Sequence, residues 1–276
     1  MPISAPHTTP STGHWCLAAD APYRVEFFGP FQVTRSDQAI GYPRWPRASA
    51  RKLLQWFLLN PLTPRSGAAL AEILWPDQPH ARRSSTLRVT VHCLRQLLEP
   101  SANPRQSTFV LVDEHGRYLF DPAGHWWTDL LEVEHLLRHA DAARAAGNDA
   151  VAIGSYQRAL RYHERGFLPE GVYEDAIAGH RDAAERQHRT ILTHLLELSQ
   201  AIGLDFEVGQ LAAKLLDRDP YSEAAVLALA GASVRQGDTV RAVAVLDRFI
   251  HTVRSELATS PSEQVLALRQ RAHGAG

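Results

Sequence analysis

The chain has 276 residues, 45% of them hydrophobic and 21% charged, with a net charge of −1. That length suits about two domains, and the apolar content excludes a chain disordered throughout. No apolar run nears the ~18–20 residues of a membrane helix: the stretch 53–59 is broken by Gln55, and 224–232 is too short.

Residues 1–20, rich in Pro, Ser and Thr, have no basic leader and no apolar stretch, so they read as a flexible tail and not a signal peptide. Residues 24–28 and 31–33 alternate around Gly29-Pro30 and read as strands, with a further short extended piece at 38–40. Leu53, Leu54, Phe57 and Leu58 form a helical stripe that Asn60-Pro61 ends. Ser66 reads as the N-cap of a short helix through Leu70, Ile73 and Leu74, which Trp75-Pro76 terminates. A longer helix is predicted over 80–98. Leu87, Val91, Leu94 and Leu98, at i, i+4, i+7 and i+11, form its buried face. Residues 109–112 and 118–120 then pair as a hairpin around 113–117, with Gly116 available for positive φ. Strands, three helices and a hairpin are the element order of a winged helix-turn-helix, an α+β domain over 21–122.

The remainder, 128–273, has no strand pattern and reads as about seven amphipathic helices between 129 and 271. Gly203 and Gly237 stand 34 residues apart, the period of a tetratricopeptide (TPR) helix pair. Ala146-Gly147-Asn148-Asp149-Ala150, followed by Ala152, Tyr156, Ala159 and Leu160, reads as an earlier copy turning at Gly147, and Pro220 closes the middle unit. Gly147 and Gly203 are 56 residues apart, so the interval holds an insertion: a loop over 165–171 and a long helix near 173–202. The expected fold is a winged helix followed by an all-α, TPR-like domain, mostly α overall. His125-Trp126-Trp127, at the junction, reads as the core of the packing between the domains, with a partner surface as the alternative.

Enzyme chemistry finds little support. Neither lysine follows a glycine, so no phosphate loop of the Gly-Lys type is present, and there is no Gly-x-Ser-x-Gly and no Cys-x-x-Cys. His135 and His139 have a spacing that can bring two imidazoles to a metal, but no Glu follows His135 and no Cys is near. No enzyme, metal or cofactor is expected. Cys16 and Cys93 are too few for a disulfide framework, which suits a reducing compartment. Residues 20–122 carry 13 Lys/Arg against 9 Asp/Glu, whereas 129–276 carry 16 against 21. A basic front and an acidic back suit a nucleic-acid reader joined to a domain that avoids nucleic acid.

Several segments carry a resemblance. In the front they are Leu70-Ala71-Glu72-Ile73-Leu74-Trp75-Pro76-Asp77 and Leu94-Arg95-Gln96-Leu97-Leu98-Glu99-Pro100, preceded by the leucines of 53–59. In the back they are Gly166-Phe167-Leu168-Pro169, Leu215-Leu216-Asp217-Arg218-Asp219-Pro220, and Ser255-Glu256-Leu257 followed by Pro261-Ser262. In this order and spacing, from about 23 to 271, the chain resembles the SARP family of antibiotic regulatory proteins. These pair an OmpR-type winged helix with a bacterial transcriptional activation domain (BTAD) of TPR-like helices. Larger members continue into an ATPase domain, and this chain is similar to the smaller, two-domain members.

The resemblance implies a cytoplasmic, sequence-specific transcription regulator, an activator that binds promoter repeats in double-stranded DNA and contacts RNA polymerase. It also implies that 80–98 is the recognition helix. A 100° step places Arg82, Ser85, Thr86, Val89, His92 and Cys93 opposite the buried face, with Arg83, Arg88 and Arg95 on the flanks. Arginine suits guanine or phosphate, and Thr or Val suits a thymine methyl. Arg47, Arg51 and Lys52 are further phosphate candidates, and His115 and Arg117 are candidates in the wing. The loop with Trp75 and Asp77 is where the OmpR-type fold contacts RNA polymerase. Repeated half-sites would pair two copies on DNA, and the helical domain could hold a peptide or protein. The sequence departs from the family pattern at Cys93, where an Arg is usual, and at Asp113 and Glu114 in the wing, where Thr and Arg are. Those departures favour the alternative, a protein-interaction scaffold whose winged helix no longer binds DNA. Repression in place of activation stays open.

Overall fold

The computed structural model describes residues 15, 16, 20–41, 45–171 and 175–274, with the side chains of 80–83 and 105 outside the description. The chain divides into two compact units. The first is Met1–Glu132 with Arg165–Asp182, and the second is Val133–Glu164 with Ala183–Gly276. A segment inside the helical half therefore belongs to the first unit.

The first unit is built on a sheet of β1 (Tyr23–Glu26), β2 (Gln32–Arg35), β3 (Gln38–Ala39) and β6 (Trp126–Thr128), in the order β3-β2-β1-β6. The first three strands pair antiparallel, and β6 lies parallel to β1 with Tyr23 opposite Trp126. Three helices follow β3: α1 (Ala48–Leu59), α2 (Gly67–Leu74) and α3 (His80–Leu98). Ser66 caps α2 by accepting the Ala69 N–H, as its place before the apolar run predicts. The hairpin is β4 (Val110–Val112) and β5 (Tyr118–Phe120).

Two readings need correction. Of His125-Trp126-Trp127, expected between the domains, the two tryptophans are buried in a strand of the first unit's own sheet, residues 126–128, and His125 is exposed. Trp126 is fully buried, stacked on Tyr23 at 4.5 Å and met edge-on by Phe109 and Phe120. The tail reading of 1–20 also ends early, because Trp15 is buried and the Cys16 N–H donates to the Trp126 carbonyl at 2.9 Å. The rest of that reading, residues 1–14 and 17–19, lies outside the described residues.

The returning segment Arg165–Asp182 pairs with the β1–β2 turn. The Gly29 N–H donates to the Gly166 carbonyl (2.7 Å) and the Leu168 N–H to the Phe27 carbonyl (2.9 Å). Phe167 stacks on Phe27 and meets Phe28 edge-on. Asp129 fastens the same corner. Its carboxylate accepts the Phe27 and Phe28 N–H groups at 2.8–2.9 Å, in full burial.

The second unit is helical among its described residues: the body of α4 (Asp129–Ala145), α5 (Asp149–His163), α6 (Ala178–Ala201), α7 (Asp205–Arg218), α8 (Glu223–Arg235), α9 (Thr239–Glu256) and α10 (Glu263–Gly274). The helix expected from 173 starts at Ala178. Residues 172–174 lie outside the described residues, and Asp175–Ile177 form a 3₁₀ turn whose Ile177 is buried. The repeat appears as one turn used three times. At Gly203 the N–H bonds back to the Gln200 carbonyl while the Leu204 N–H reaches that of Ser199. Gly147 and Gly237 repeat the pattern, with Asn148 reaching Ala143 and Asp238 reaching Ser233. This is the Schellman closure, which needs a left-handed residue, and Gly203 and Gly237 supply it at φ +77° and +80°. Among the described residues, no helix is long and apolar enough to cross a membrane.

Candidate nucleic-acid interface

Helix α3 is amphipathic for a local reason. Leu87, Thr90, Val91, Leu94 and Leu98 are buried on one side, and Thr90 is satisfied by the Thr86 carbonyl and Ser49 Oγ. The other side presents Ser84, Ser85, Arg88, Val89, His92 and Gln96 to solvent. Arg88 and His92 have no hydrogen-bond or ion-pair partner among the described residues. Val89, an apolar residue on a polar face, is 46% exposed. Thr86 and Cys93 are half-buried at the edge of the strip. Arg82 and Arg83 belong to α3, but their side chains lie outside the described residues.

The helix is held at its C-terminal end. The Leu98 carbonyl accepts from Tyr23 Oη (2.7 Å) and from an Arg35 guanidinium nitrogen (3.1 Å), which ties the last turn to β1 and β2. Arg95 is not on the exposed strip. Its guanidinium donates twice to the Val110 carbonyl (2.7 and 3.0 Å) and once to Pro104 (3.1 Å), binding α3 to the hairpin. Its partial burial lowers its pKa, because the charged form loses hydration. A residue expected to contact DNA is a structural tie.

The wing turn is organised by Asp113. The carboxylate accepts the His115 and Arg117 N–H groups (3.0 and 2.8 Å) and Arg117 Nε (2.7 Å), while Gly116 takes φ +73°. The backbone donor of Arg117, foremost, holds the Asp113 carboxyl below the usual range. Asp113 therefore builds the hairpin turn and is partly neutralised by Arg117. Glu114 and His115 are exposed, with His115 Nε2 3.5 Å from the Glu114 carboxylate. The sequence reading missed Arg65. Its backbone pairs with Tyr118 in both directions at 2.8 Å, which joins the segment before α2 to the wing, and the residue is exposed. A basic residue directly before the Ser66 cap was the available clue.

The remaining candidates are spread over the unit. Arg47 is exposed at the N-cap position of α1. Arg51 is ion-paired to Glu170 of the returning segment, whose other oxygen accepts the Phe31 N–H at 2.9 Å, so it serves as an internal anchor. Lys52 is exposed and lines a cavity of about 360 Å³ together with Trp56, Asp77 and Ile177. That cavity puts Lys52 beside the α2–α3 loop, where Trp75 is half-buried and Asp77 exposed. His139, considered for metal, bonds through Nδ1 to Ser155 Oγ at 2.9 Å.

The family described as "Bacterial transcriptional activator domain" matches residues 128–272. Over 250 residues, 90% of the chain, the sequence is 25% identical to the regulatory protein AfsR of Streptomyces coelicolor. The chain spans about a quarter, 24%, of that protein's length. Mycobacterium tuberculosis EmbR, solved in complex with a low affinity phosphopeptide, shares the fold. Its TM-score is 0.74 at 21% identity, over 92% of this chain and 65% of that one.

Proposed function

The chain belongs to the bacterial transcriptional activator domain family, in the SARP arrangement its sequence resembles, and on that premise we propose that it regulates transcription by binding promoter DNA through α3. The observation that carries the reading is the exposed strip of Ser85, Arg88, Val89 and His92 on a helix buried opposite and tied down at its C-terminal end. A helix packed from behind, with polar side chains exposed along its other face, is what major-groove readout requires.

Each residue has a role in this reading. Arg88 pairs with guanine O6/N7 or a phosphate, Val89 meets a thymine methyl, and Ser85, Thr86 and His92 donate to base edges or phosphates. Arg82 and Arg83, on sequence grounds, extend the strip toward the start of the helix. Arg47, Arg65, His115 and Arg117 supply backbone contacts from α1, the α2 approach and the wing. Arg51 and Arg95 drop out of the contact set because groups of other elements hold them, whereas Arg117, bonded to Asp113 within its own turn, keeps a side chain 45% exposed. The α2–α3 loop, with Trp75 and Asp77 beside Lys52, is the proposed RNA polymerase contact, and two copies on repeated half-sites form the bound species.

Site selection from a random duplex library by the full chain tests the reading. Enrichment of a repeated motif, lost in Arg88→Ala/His92→Ala, is the expected result. Recovery of unenriched sequence would turn the assignment to the scaffold alternative, which the internal engagement of Arg51 and Arg95 favours.

A further inference from the structure

The second unit carries a groove that the DNA-binding reading does not use. It lies between α7, α8 and α9 and encloses about 490 Å³. Leu216, Val226, Leu229, Val245 and Phe249 give it apolar walls, and Arg241 and Arg248 of α9 line it as well. Arg241 also lines an adjoining cavity of about 290 Å³, together with Phe206. Phe206 is 66% exposed, and Val240, next to Arg241, is 80% exposed. Large apolar side chains left in water beside a formed cavity mark a surface that gains by being covered.

The charges indicate what covers it. Residues 129–276 carry more acid than base, 21 against 16. Elsewhere in this unit Arg144, Arg218, Arg235 and Arg269 are each matched to a carboxylate. The guanidinium groups of Arg241 and Arg248 are exposed and have no hydrogen-bond or ion-pair partner among the described residues, the Arg241 main-chain N–H alone donating to Asp238 Oδ1 at 2.9 Å. Among the described residues Asp217 is the one acidic residue lining the larger cavity, against Arg241 and Arg248, so the groove is locally positive. Seven residues along one helix separate the two guanidinium-bearing positions by about 10 Å, which is two helical turns.

We propose that the α7–α9 groove docks an acidic amphipathic helix of a partner protein, with its apolar face on Leu216, Leu229 and Phe249 and carboxylates two turns apart at Arg241 and Arg248. Helix-in-groove recognition uses this division: apolar anchors give affinity, and charge sets register and selects the partner. The aliphatic lining favours a peptide over a nucleic acid, which offers phosphate without aliphatic anchors.

The test uses the full chain and a fluorescent peptide of about four helical turns, with leucines on one face and glutamates flanking it. Matched peptides carry glutamine or lysine in place of glutamate. The acidic peptide binds, its affinity falls with salt, and the neutral and basic peptides bind roughly tenfold or more weakly. Arg241→Glu/Arg248→Glu reverses the preference, losing the acidic peptide and gaining the basic one, a reversal that mere destabilisation does not produce. Binding indifferent to peptide charge, a double variant that keeps the acidic peptide, or no binding at all overturns the proposal. Promoter DNA affinity, read on the same proteins, stays unchanged; its loss with peptide binding intact would reassign the two arginines to a DNA surface. The groove and the α3 reading therefore fail independently.

Discussion

At the scale of single residues, the titratable groups in the interior give the two units opposite responses to acid. Burial raises the Asp129 carboxyl to about 7, against the pull of the Phe27 and Phe28 N–H donors. The unfolded chain releases the same proton near 3.8, so between about pH 4 and 7 the folded state binds more protons than the unfolded state. Stability of the first unit therefore falls as pH rises through that window. Asp129→Asn removes this slope. It also leaves buried N–H donors poorly matched, at about 1–3 kcal/mol. Thermal unfolding from pH 4 to 8 checks both effects, and an unchanged slope in the variant would contradict the assignment. His163 and His188, 5.3 Å apart between ring centroids, act the other way. Burial lowers both to about 4, and His163 is lowered further by His188. Their contribution is complete above about 6.5 and is lost as pH falls toward 4. His188→Leu moves the acid-unfolding midpoint of the second unit to lower pH, readable by circular dichroism.

At the scale of elements, the outcome turns on what a helical period can and cannot carry. The bounds of α2 and α3 were legible because Ser66, Trp75-Pro76 and Glu99-Pro100 are local stop and start signals. The exposed strip was legible in part: a 100° step set Ser85, Val89 and His92 outward, but it put the exposed Arg88 on the flank and the half-buried Thr86 and Cys93 on the strip. The engagement of Arg95 was not, since its acceptors are main-chain carbonyls placed by the approach to the hairpin. Strand β6 escaped notice because three residues are too few to show alternation, and its partner β1 lies about a hundred residues away. Arg95→Ala should release the wing from α3 at a cost of about 2 kcal/mol, the scale of hydrogen bonds from a charged donor. Chemical denaturation measures it. A fall in DNA affinity with unchanged stability would instead return Arg95 to the interface.

At the scale of the whole molecule, the sequence showed two halves but not the path between them. The 56-residue interval from Gly147 to Gly203, against 34 from Gly203 to Gly237, signalled an insertion. Its destination was hidden, because Phe167 meets Phe28 and Glu170 meets Arg51 across more than a hundred residues. The helical half thus supplies a piece of the unit that carries α3. The central claim, that this unit reads DNA through the exposed face of α3, is tested most directly by fluorescence anisotropy of a selected duplex across salt concentrations. Wild type and Arg88→Ala/His92→Ala are compared. The account predicts log affinity falling linearly with log salt, and a double variant weakened by about 1–3 kcal/mol for each lost base contact or with a slope lower by about 1 for each lost phosphate. Equal affinity and slope in the two proteins, or no binding by wild type at low salt, would contradict it.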